Sequence, residues 1–324
     1  MRHVRSLLIA TAVSAALIAP ARPAHAASPA SSQDAVRHGA HAAPDTFRFA
    51  DLDQIRDYFG EADYTLAHWR EGERSVPRFY LARVPSRWRK EVAPHLPVVK
   101  KKEYFFFAYA PLVLESNEDI MADRARLLAL AGKSGHSADD HQWLTSLCRF
   151  YRLDPPADGP LDKALLDELA ARVDAVPPSL ALAQAAVESA WSTSRFADLG
   201  NALFGQWTWG EDGITPKEQR GHLGDYKIKA FATPEESIAA YMHNLNTHPS
   251  YADFRAERRR LRDGDKPLSG QDLAHTLTSY SEKGQEYVET LLSVIRVNQL
   301  PPADEAYLRD MRPVVLLPVG EGAE

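Results

Sequence analysis

Apolar residues recur at helical spacing through most of the chain, and residues that favour a helix start precede several of these runs. Thr233 is followed by Pro234 and Glu236, which combines an N-cap residue, a proline in the first turn and a capping-box acid. Ser137 and Ser269 precede two further apolar runs in the same way. The pattern predicts helices that carry Trp143, Leu144, Leu147 and Tyr151; Ile238, Tyr241, Met242 and Leu245; Leu273, Leu277 and Tyr280; and Tyr287, Leu291 and Ile295. We therefore expect a mainly α fold.

The stretch 201–231 departs from this helical pattern. It is rich in glycine and turn residues, and near its end Tyr226 and Ile228 alternate with Lys227 and Lys229. Alternation bounded by turn residues is typical of a β-hairpin. The sequence thus predicts one small β-hairpin lobe set into a helical domain, with a groove between the lobe and the helices.

The first residues have the pattern of a secretory signal peptide. Basic Arg2 and Arg5 precede an apolar run over 7–18, and the small-residue triplet 24–26 follows. We expect cleavage after Ala26 and a periplasmic or secreted protein, with an uncleaved, anchoring signal as the alternative. No later stretch is long and uncharged enough to span a bilayer, so we expect no stable membrane insertion once the signal is removed.

Composition divides the rest of the chain. Residues 27–44 are rich in Ala, Ser, His and Pro, which predicts a flexible leader. Residues 301–324 begin with two prolines and end in Gly and Glu, which predicts a C-terminal tail, and the apolar patch 314–317 within it is a candidate to dock on the body. Between these ends we expect a helical N-terminal region at 45–135 and a main domain at 136–300.

Charge and cysteine content narrow the class of protein. The formal net charge is −6, and the predicted signal carries three basic and no acidic residues, so the mature chain is more acidic still. An acidic chain argues against a nucleic-acid partner. Cys148 lies among apolar residues at helical spacing and has no internal disulfide partner, so we expect it to be a buried apolar residue. No pattern specifies an oligomeric state.

Glu188 is the only charged residue of the apolar segment 177–191, which is predicted to be a helix. A lone carboxylate among apolar residues is costly to ionise, so burial should raise its pKa. A raised pKa is what a general acid requires at neutral pH. On spacing alone, an ion pair between Glu188 and Arg195 explains the position equally well.

The residues around this carboxylate favour the catalytic interpretation. The run P-P-S-L-A-L-A-Q-A-A-V-E-S-A-W-S-T-S-R-F-A at 177–197 is followed by G-N-A-L-F-G-Q-W-T-W at 200–209. Two more segments follow in order, Y-M-H-N-L-N-T-H-P-S-Y at 241–251 and Y-S-E-K-G-Q-E-Y at 280–287. Over roughly residues 95–300, the sequence resembles the bacterial N-acetylglucosaminidases that include the Bax-type proteins and the hydrolase domains of flagellar assembly proteins.

The resemblance implies a lysozyme-like fold for the main domain, in which a helix that carries the acid faces a small β lobe. It places Glu188 on the general acid of the family and Tyr280 on its active-site tyrosine, whereas helical spacing alone would make Tyr280 a core residue. It also implies a cleft in which aromatic rings stack on sugars and amides hold an acetamido group. The substrate contacts that it suggests are Gln184, Asn201, Phe204, Gln206, Trp207, Tyr241 and Asn244. For Phe204, Tyr241 and Asn244, packing or capping is the alternative.

The sequence departs from the family at three positions, because Ala190, Ser192 and Ala202 stand where relatives commonly carry Gly, Gly and Asn. In addition, no motif identifies the second carboxylate, which glycosidases generally use to activate water or to stabilise the cationic transition state. The acidic residues of the predicted lobe are Glu211, Asp212, Glu218 and Asp225. We take Glu218 as the candidate catalytic residue among them, and the substrate's own acetamido group is the alternative.

These features predict a hydrolase that cuts peptidoglycan glycan strands after N-acetylglucosamine. Two alternatives stay open: a lytic transglycosylase and a non-catalytic protein that binds peptidoglycan. The lytic transglycosylase is disfavoured because residues 201–205 read N-A-L-F-G, where a G-L-M-Q run would be expected. The basic, aromatic segment 100–107 predicts a helix that packs on the main domain, with a wall-contacting patch as the alternative. We expect no cofactor and no metal, because His243 and His248 lack a Glu or Cys at zinc-site spacing.

Overall fold

The computed structural model describes residues 43–133, 135–217 and 225–319, and the chain is mainly α-helical, as the sequence predicts. The helices are α1 (Leu52–Glu61), α2 (Leu66–Arg70), α3 (Val98–Ala131), α4 (Ala138–Phe150), α5 (Lys163–Arg172), α6 (Pro178–Glu188), α7 (Arg195–Gly200), α8 (Pro234–Thr247), α9 (Ala252–Asp263), α10 (Gly270–Ala274) and α11 (Gln285–Val297). The strands are β1 (Asp45–Phe49), β2 (Ser75–Val76), β3 (Phe79–Leu81), β4 (Trp207–Thr208), β5 (Gly213–Ile214), β6 (Lys227–Lys229), β7 (Tyr307–Leu308) and β8 (Val314–Pro318). The predicted signal peptide and its cleavage site after Ala26 lie outside these ranges. Within them, no helix combines the length and the apolar character needed to cross a membrane.

Two of the start signals in the sequence begin helices as predicted. The Thr233 side chain accepts a hydrogen bond from the Glu236 backbone N–H at 3.2 Å at the start of α8. Ser137 accepts one from the Asp140 N–H at 3.1 Å at the start of α4. Each bond satisfies an N–H group that the first turn of a helix leaves without a partner. The predictions of these two helix starts are confirmed.

One predicted helix is much shorter than its apolar spacing indicates. Helix α10 ends at Ala274, so Tyr280 lies in an irregular turn and not on a helix with Leu273. The Thr276 hydroxyl donates to the Leu273 carbonyl at 2.7 Å. Such local side-chain bonds compete with helix continuation, and this stretch is rich in Thr and Ser. The prediction of a helix through Tyr280 is therefore wrong.

The 34-residue helix α3 joins the N-terminal region to the main domain. It packs against α6 and α8, and its buried apolar side chains between Phe105 and Leu114 belong to the same core as theirs. Phe105 is buried in this core, and Phe106 and Phe107 pack partly buried against it. The interpretation of 100–107 as a packing helix is confirmed, and the two regions share one hydrophobic core.

The N-terminal region also contains strands, which the predicted helical character of 45–135 does not include. Strands β1 and β3 flank β8 in a parallel sheet, with Asp45 and Phe79 both opposite Val314. The segment predicted as a C-terminal tail thus supplies the central strand of a sheet, and its apolar patch packs into the body. Partners so distant in sequence leave no local periodicity that would reveal their pairing.

The predicted β lobe is present as an antiparallel sheet in which β6 lies between β4 and β5. Ile228 pairs with Trp207 on one side and with Ile214 on the other. Gly200, at the end of α7, approaches the lobe closely, since a Cβ atom there would lie 2.8 Å from Ile214 Cδ1. Only glycine allows the helix this position. The prediction of a small β lobe after the Glu188 helix is confirmed.

A buried ion cluster anchors the chain directly before α6. Asp174 is 2% exposed, and its carboxylate pairs with Arg262 at 2.8 Å, Arg124 at 3.6 Å and Arg258 at 3.8 Å. Arg258 is fully buried and also donates to the Asp174 carbonyl at 2.9 Å. Because these arginines lie on α3 and α9, the cluster fixes where α6 begins relative to both helices.

Cys148 lies in a second cluster of apolar side chains, formed by α4, α5 and the end of α3. The thiol is free and fully buried. Burial raises its pKa to about 11, so the thiol stays protonated at neutral pH. The prediction of a buried apolar residue is confirmed.

Candidate active site

Glu188 is the last residue of α6, a helix that packs against α3, α10 and α11. The side chain is half-buried, and its Oε1 atom is buried without a hydrogen-bond partner among the described residues. A helix C-terminus carries partial negative charge, which disfavours a carboxylate there. The position of Glu188 therefore favours its neutral, protonated form.

Burial raises the pKa of the Glu188 carboxyl to about 8. The Tyr287 phenol, which donates a hydrogen bond to the charged form, lowers this pKa to a smaller extent. Arg195 does not neutralise the carboxyl, because its guanidinium donates to the Thr215 carbonyl at 3.0 Å. Across the described ranges, no cation acts on the pKa of Glu188. The ion pair that spacing left open is absent, and the proton is retained through burial.

Four buried tyrosines lie around Glu188: Tyr241, Tyr251, Tyr280 and Tyr287, here called the tyrosine cluster. Each is at most 2% exposed. Burial raises the pKa of every one of these phenols, and a charged Glu188 raises it further, so the phenols stay neutral and can donate hydrogen bonds. Tyr280 contacts the other three, with ring centroids 5.5 Å from Tyr287, 5.8 Å from Tyr251 and 6.5 Å from Tyr241.

A chain of hydrogen bonds runs through this cluster toward Glu188. The Tyr241 hydroxyl donates to Gln184 Oε1 at 2.6 Å, and Gln184 Nε2 donates to the Tyr287 hydroxyl at 3.0 Å. Because the Tyr287 oxygen accepts from Gln184, its own proton is free to point at the Glu188 carboxyl. Gln184 and Tyr241 are almost fully buried. We therefore reassign them from substrate contacts to support of Tyr287 and Glu188.

The β lobe contains buried polar atoms that no described residue satisfies. Gln206 Oε1 and Trp207 Nε1 are both buried without a hydrogen-bond partner within the described ranges. The Trp207 ring stacks on Tyr226 at 4.4 Å, which holds the indole in place, and Trp209 lies at its edge with 54% of its area exposed. An unsatisfied acceptor and donor beside an exposed ring are suited to a polar ligand that has an apolar face.

Known proteins match the part of the chain that contains this site. The family described as mannosyl-glycoprotein endo-beta-N-acetylglucosaminidase matches residues 163–300, which include Glu188, the tyrosine cluster and the lobe. The chain is also 31% identical over 200 residues to "Protein bax" of Escherichia coli (strain K12), a match that covers 61% of this chain and 70% of that protein. The chain belongs to the Bax-type glucosaminidase family. No solved structure matches it significantly. Membership in this glucosaminidase family makes the chain a glycosidase-like enzyme.

Two of the predicted substrate contacts, Asn201 and Phe204, bind or pack within the protein itself. Asn201 adopts a left-handed conformation at the end of α7, with φ 49°. Its Oδ1 accepts from the Val84 N–H at 2.9 Å, and its Nδ2 donates to the carbonyls of Phe231 and Ala232. Phe204 is 1% exposed and stacks on a member of the tyrosine cluster at 3.9 Å. Phe204 is withdrawn from solvent, and Asn201 is partly exposed but uses its amide in these three hydrogen bonds, so we reassign both to packing of the lobe.

Sequence reasoning identified Tyr280 but did not assign a role to Tyr251 or Tyr287. Both are the last residue of a segment that carries the family resemblance, 241–251 and 280–287, so the signal was present in the sequence. Asn244, a predicted substrate contact, lies beside the Tyr251 phenol and lowers its pKa as a hydrogen-bond donor, although burial raises that pKa overall. Asn244 is half-buried and lies at the edge of the cluster.

The sequence offers four acidic residues of the lobe as candidates for the second carboxylate. Glu218 lies outside the described ranges. The side chains of Glu211, Asp212 and Asp225 are exposed. Within the described ranges, no three His, Cys, Asp or Glu side chains are grouped as ligands of a metal ion.

Replacing Tyr287 by phenylalanine should raise the pKa of Glu188. The phenol stabilises the carboxylate, so its loss favours the protonated acid. In a pH profile of kcat, we expect the alkaline limb, where Glu188 loses its proton, to move to higher pH. Tyr64→Phe is the matched control, because that buried phenol donates to the Phe107 carbonyl at 3.2 Å and lies outside the tyrosine cluster. A shift of the limb to lower pH, or an equal shift in both variants, would contradict the assignment of Tyr287.

Proposed function

We propose that the enzyme hydrolyses the glycosidic bond that follows N-acetylglucosamine in peptidoglycan glycan strands, with Glu188 as the general acid. One observation carries the proposal: the Glu188 carboxyl is held protonated by burial, without an ion pair, inside a cluster of neutral phenols. With a pKa of about 8, about nine tenths of the molecules hold this proton at pH 7. A poised acid in a glycosidase family is suited to protonate a leaving glycosidic oxygen.

In this mechanism, the neutral acid donates its proton as the glycosidic bond breaks, and Glu188 becomes a carboxylate. The Tyr287 phenol then donates to the new negative charge, supported from behind by Gln184 and Tyr241. Stabilisation that strengthens as charge develops lowers the barrier more than it lowers the ground state. Tyr280 packs against Tyr287 and keeps water from that side of the acid.

Gln206, Trp207 and Trp209 supply the proposed contacts to the sugar. An acetamido N–H can donate to Gln206 Oε1, and a sugar hydroxyl or carbonyl can accept from Trp207 Nε1. The exposed Trp209 ring offers a stacking surface for a pyranose face. Water is activated by a carboxylate of the lobe, for which Glu218 is the candidate, or the substrate's acetamido group takes its place.

Mass spectrometry of digested peptidoglycan tests the proposal. Purified glycan strands incubated with the enzyme should gain reducing ends that carry N-acetylglucosamine. Anhydro-muramic ends would instead identify a lytic transglycosylase. Unchanged strands together with saturable binding would identify a non-catalytic binding protein, and either result overturns the proposed reaction. The predicted secretory signal agrees with this substrate, because peptidoglycan lies beyond the inner membrane.

A further inference from the structure

The turn that follows Glu188 has an unusual backbone. Ala190, Trp191 and Ser192 all have positive φ angles, of 50°, 61° and 60°. A left-handed conformation costs a non-glycine residue roughly 1–2 kcal/mol, so three in succession need support from their surroundings. This strained turn lies only one residue beyond the catalytic acid, so its conformation sets the direction in which α6 presents Glu188.

Part of the support comes from α6 itself. The Trp191 N–H donates to the Ala186 carbonyl at 2.9 Å, and the Ala190 N–H donates to the Val187 carbonyl at 3.4 Å. This pair of bonds is the Schellman arrangement that ends many helices, with Ala190 at the position that glycine usually occupies. Glycine would adopt the conformation without strain, and alanine does not.

The remaining support comes from the N-terminal region. The Trp88 indole donates to the Trp191 carbonyl at 3.2 Å, and the Ser192 hydroxyl donates to the Tyr109 hydroxyl at 2.8 Å. Trp88, Tyr109 and Ser192 are all buried, so these bonds are shielded from water.

The Trp191 ring is held in the same way by α3. The edges of Phe105 and Phe106 each meet it at 5.4 Å between centroids, and the Lys102 ammonium lies 4.7 Å from its centroid. Such contacts fix both the position and the orientation of the ring. Residues of the N-terminal region and α3 therefore contact the turn at the Trp191 carbonyl, the Ser192 hydroxyl and the Trp191 ring.

We propose that Trp88 and Tyr109 are positioning residues for Glu188, which hold the strained turn 190–192 and so aim the acid at the substrate. The inference rests on the proposed function, and it assigns a catalytic purpose to residues outside the family segment 163–300. The N-terminal region is then a part of the active-site architecture as well as a packing partner.

Kinetics of Trp88→Phe and Tyr109→Phe test this role. Each substitution removes one hydrogen bond from the turn and keeps an aromatic ring in the core. We expect kcat to fall about tenfold with KM unchanged, because a misaimed acid slows chemistry without loosening the sugar contacts. Tyr64→Phe serves again as the control, since it removes a buried phenol bonded to α3 and does not touch the turn. Its kcat should stay at the wild-type value.

The Ala190→Gly substitution distinguishes a loss of kcat through misplacement of Glu188 from a loss through lower overall stability. In the Trp88→Phe background, Ala190→Gly should restore part of kcat, because glycine removes the strain at one of the three positive-φ positions and so reduces the support that the turn needs. Ala190→Gly alone should raise the free energy of unfolding and leave kcat near wild type. The double variant Ala190→Gly with Tyr64→Phe should have the same kcat as Tyr64→Phe alone. Failure of the rescue, an equal loss in Tyr64→Phe, or a change in KM alone would overturn the inference.

A second readout does not need activity. A carbon-13 NMR titration of the Glu188 carboxyl should show a lower midpoint in Trp88→Phe and Tyr109→Phe than in the wild type, because a loosened turn admits water to the acid. An unchanged midpoint in both variants counts against the inference. Wild-type protein that cleaves no glycan, with this midpoint shift present, would refute the proposed function and leave the positioning role supported.

Discussion

Replacing Glu188 by glutamine is expected to lower the release of reducing ends from purified peptidoglycan by about 10²–10⁴-fold, since the variant keeps the shape of the protonated acid and has no proton to give. The fold should survive, because a neutral amide replaces a group that the folded protein already holds neutral. The unfolded chain ionises Glu188 above about pH 4.5, whereas the folded chain holds the proton to about pH 8. The wild type therefore loses stability as pH rises through this window, and the variant should lose less, because the contribution of Glu188 is gone.

Glu115→Gln is the matched control for this loss. Burial raises the pKa of the Glu115 carboxyl to about 8 as well, and its Oε2 atom is also buried without a partner among the described residues. Glu115 lies beside Tyr80 and Glu235, away from the tyrosine cluster. We expect its substitution to leave the release of reducing ends intact. Activity retained in Glu188→Gln, or lost equally in both variants, would remove Glu188 from its role.

Replacing Asp174 by alanine should destabilise the fold by about 3–5 kcal/mol, because it leaves three arginines around a buried site without their anion. Burial alone would raise the pKa of Asp174, but the hydrogen bonds from Arg262 and the charges of Arg258 and Arg124 hold it below its usual value. Chemical denaturation monitored by circular dichroism measures the change.

The stabilisation by Asp174 depends on pH. The pKa of Asp174 is lower in the folded protein than in the unfolded chain. Its carboxylate therefore stabilises the fold in full above the unfolded pKa of about 3.9, and this stabilisation is lost as pH falls through the pKa of the folded protein. The alanine variant should lack this acid-dependent loss. Asp167→Ala is the control, since that carboxylate is 56% exposed and, among the described residues, forms an ion pair only with Lys163 on the helix surface. Equal stability of the two variants would show that the ion cluster does not anchor α6.

Local sequence signals predicted much of the site because they report on single elements. Glu188 is the only charge in an apolar segment, and that isolation is the cause of its raised pKa. The N-cap residues Ser137 and Thr233 begin helices because their hydroxyls bind the first backbone N–H groups. The alternation of Tyr226 and Ile228 with lysines marks a strand with one buried face, and both apolar residues are buried.

Features that depend on distant contacts were not predictable from local pattern. The parallel pairing of β8 with β1 and β3 joins the two ends of the chain, so no local period reveals it. The hydrogen bond from Gln184 to Tyr287 likewise joins separate helices. Helical spacing continued the Glu188 helix to Trp191, whereas α6 ends at Glu188. The turn that ends it has alanine at the position where glycine is usual, so the sequence did not mark the end.

The central claim is that Glu188 keeps its proton at neutral pH, and a titration of that single carboxyl tests it most directly. Carbon-13 NMR of protein with labelled glutamate side chains, with the resonance assigned by its absence in Glu188→Gln, gives the midpoint of protonation. We expect a midpoint near 8, where burial places the pKa. A midpoint near 4.5, the value of an ordinary glutamate, would contradict the role of Glu188 as the acid.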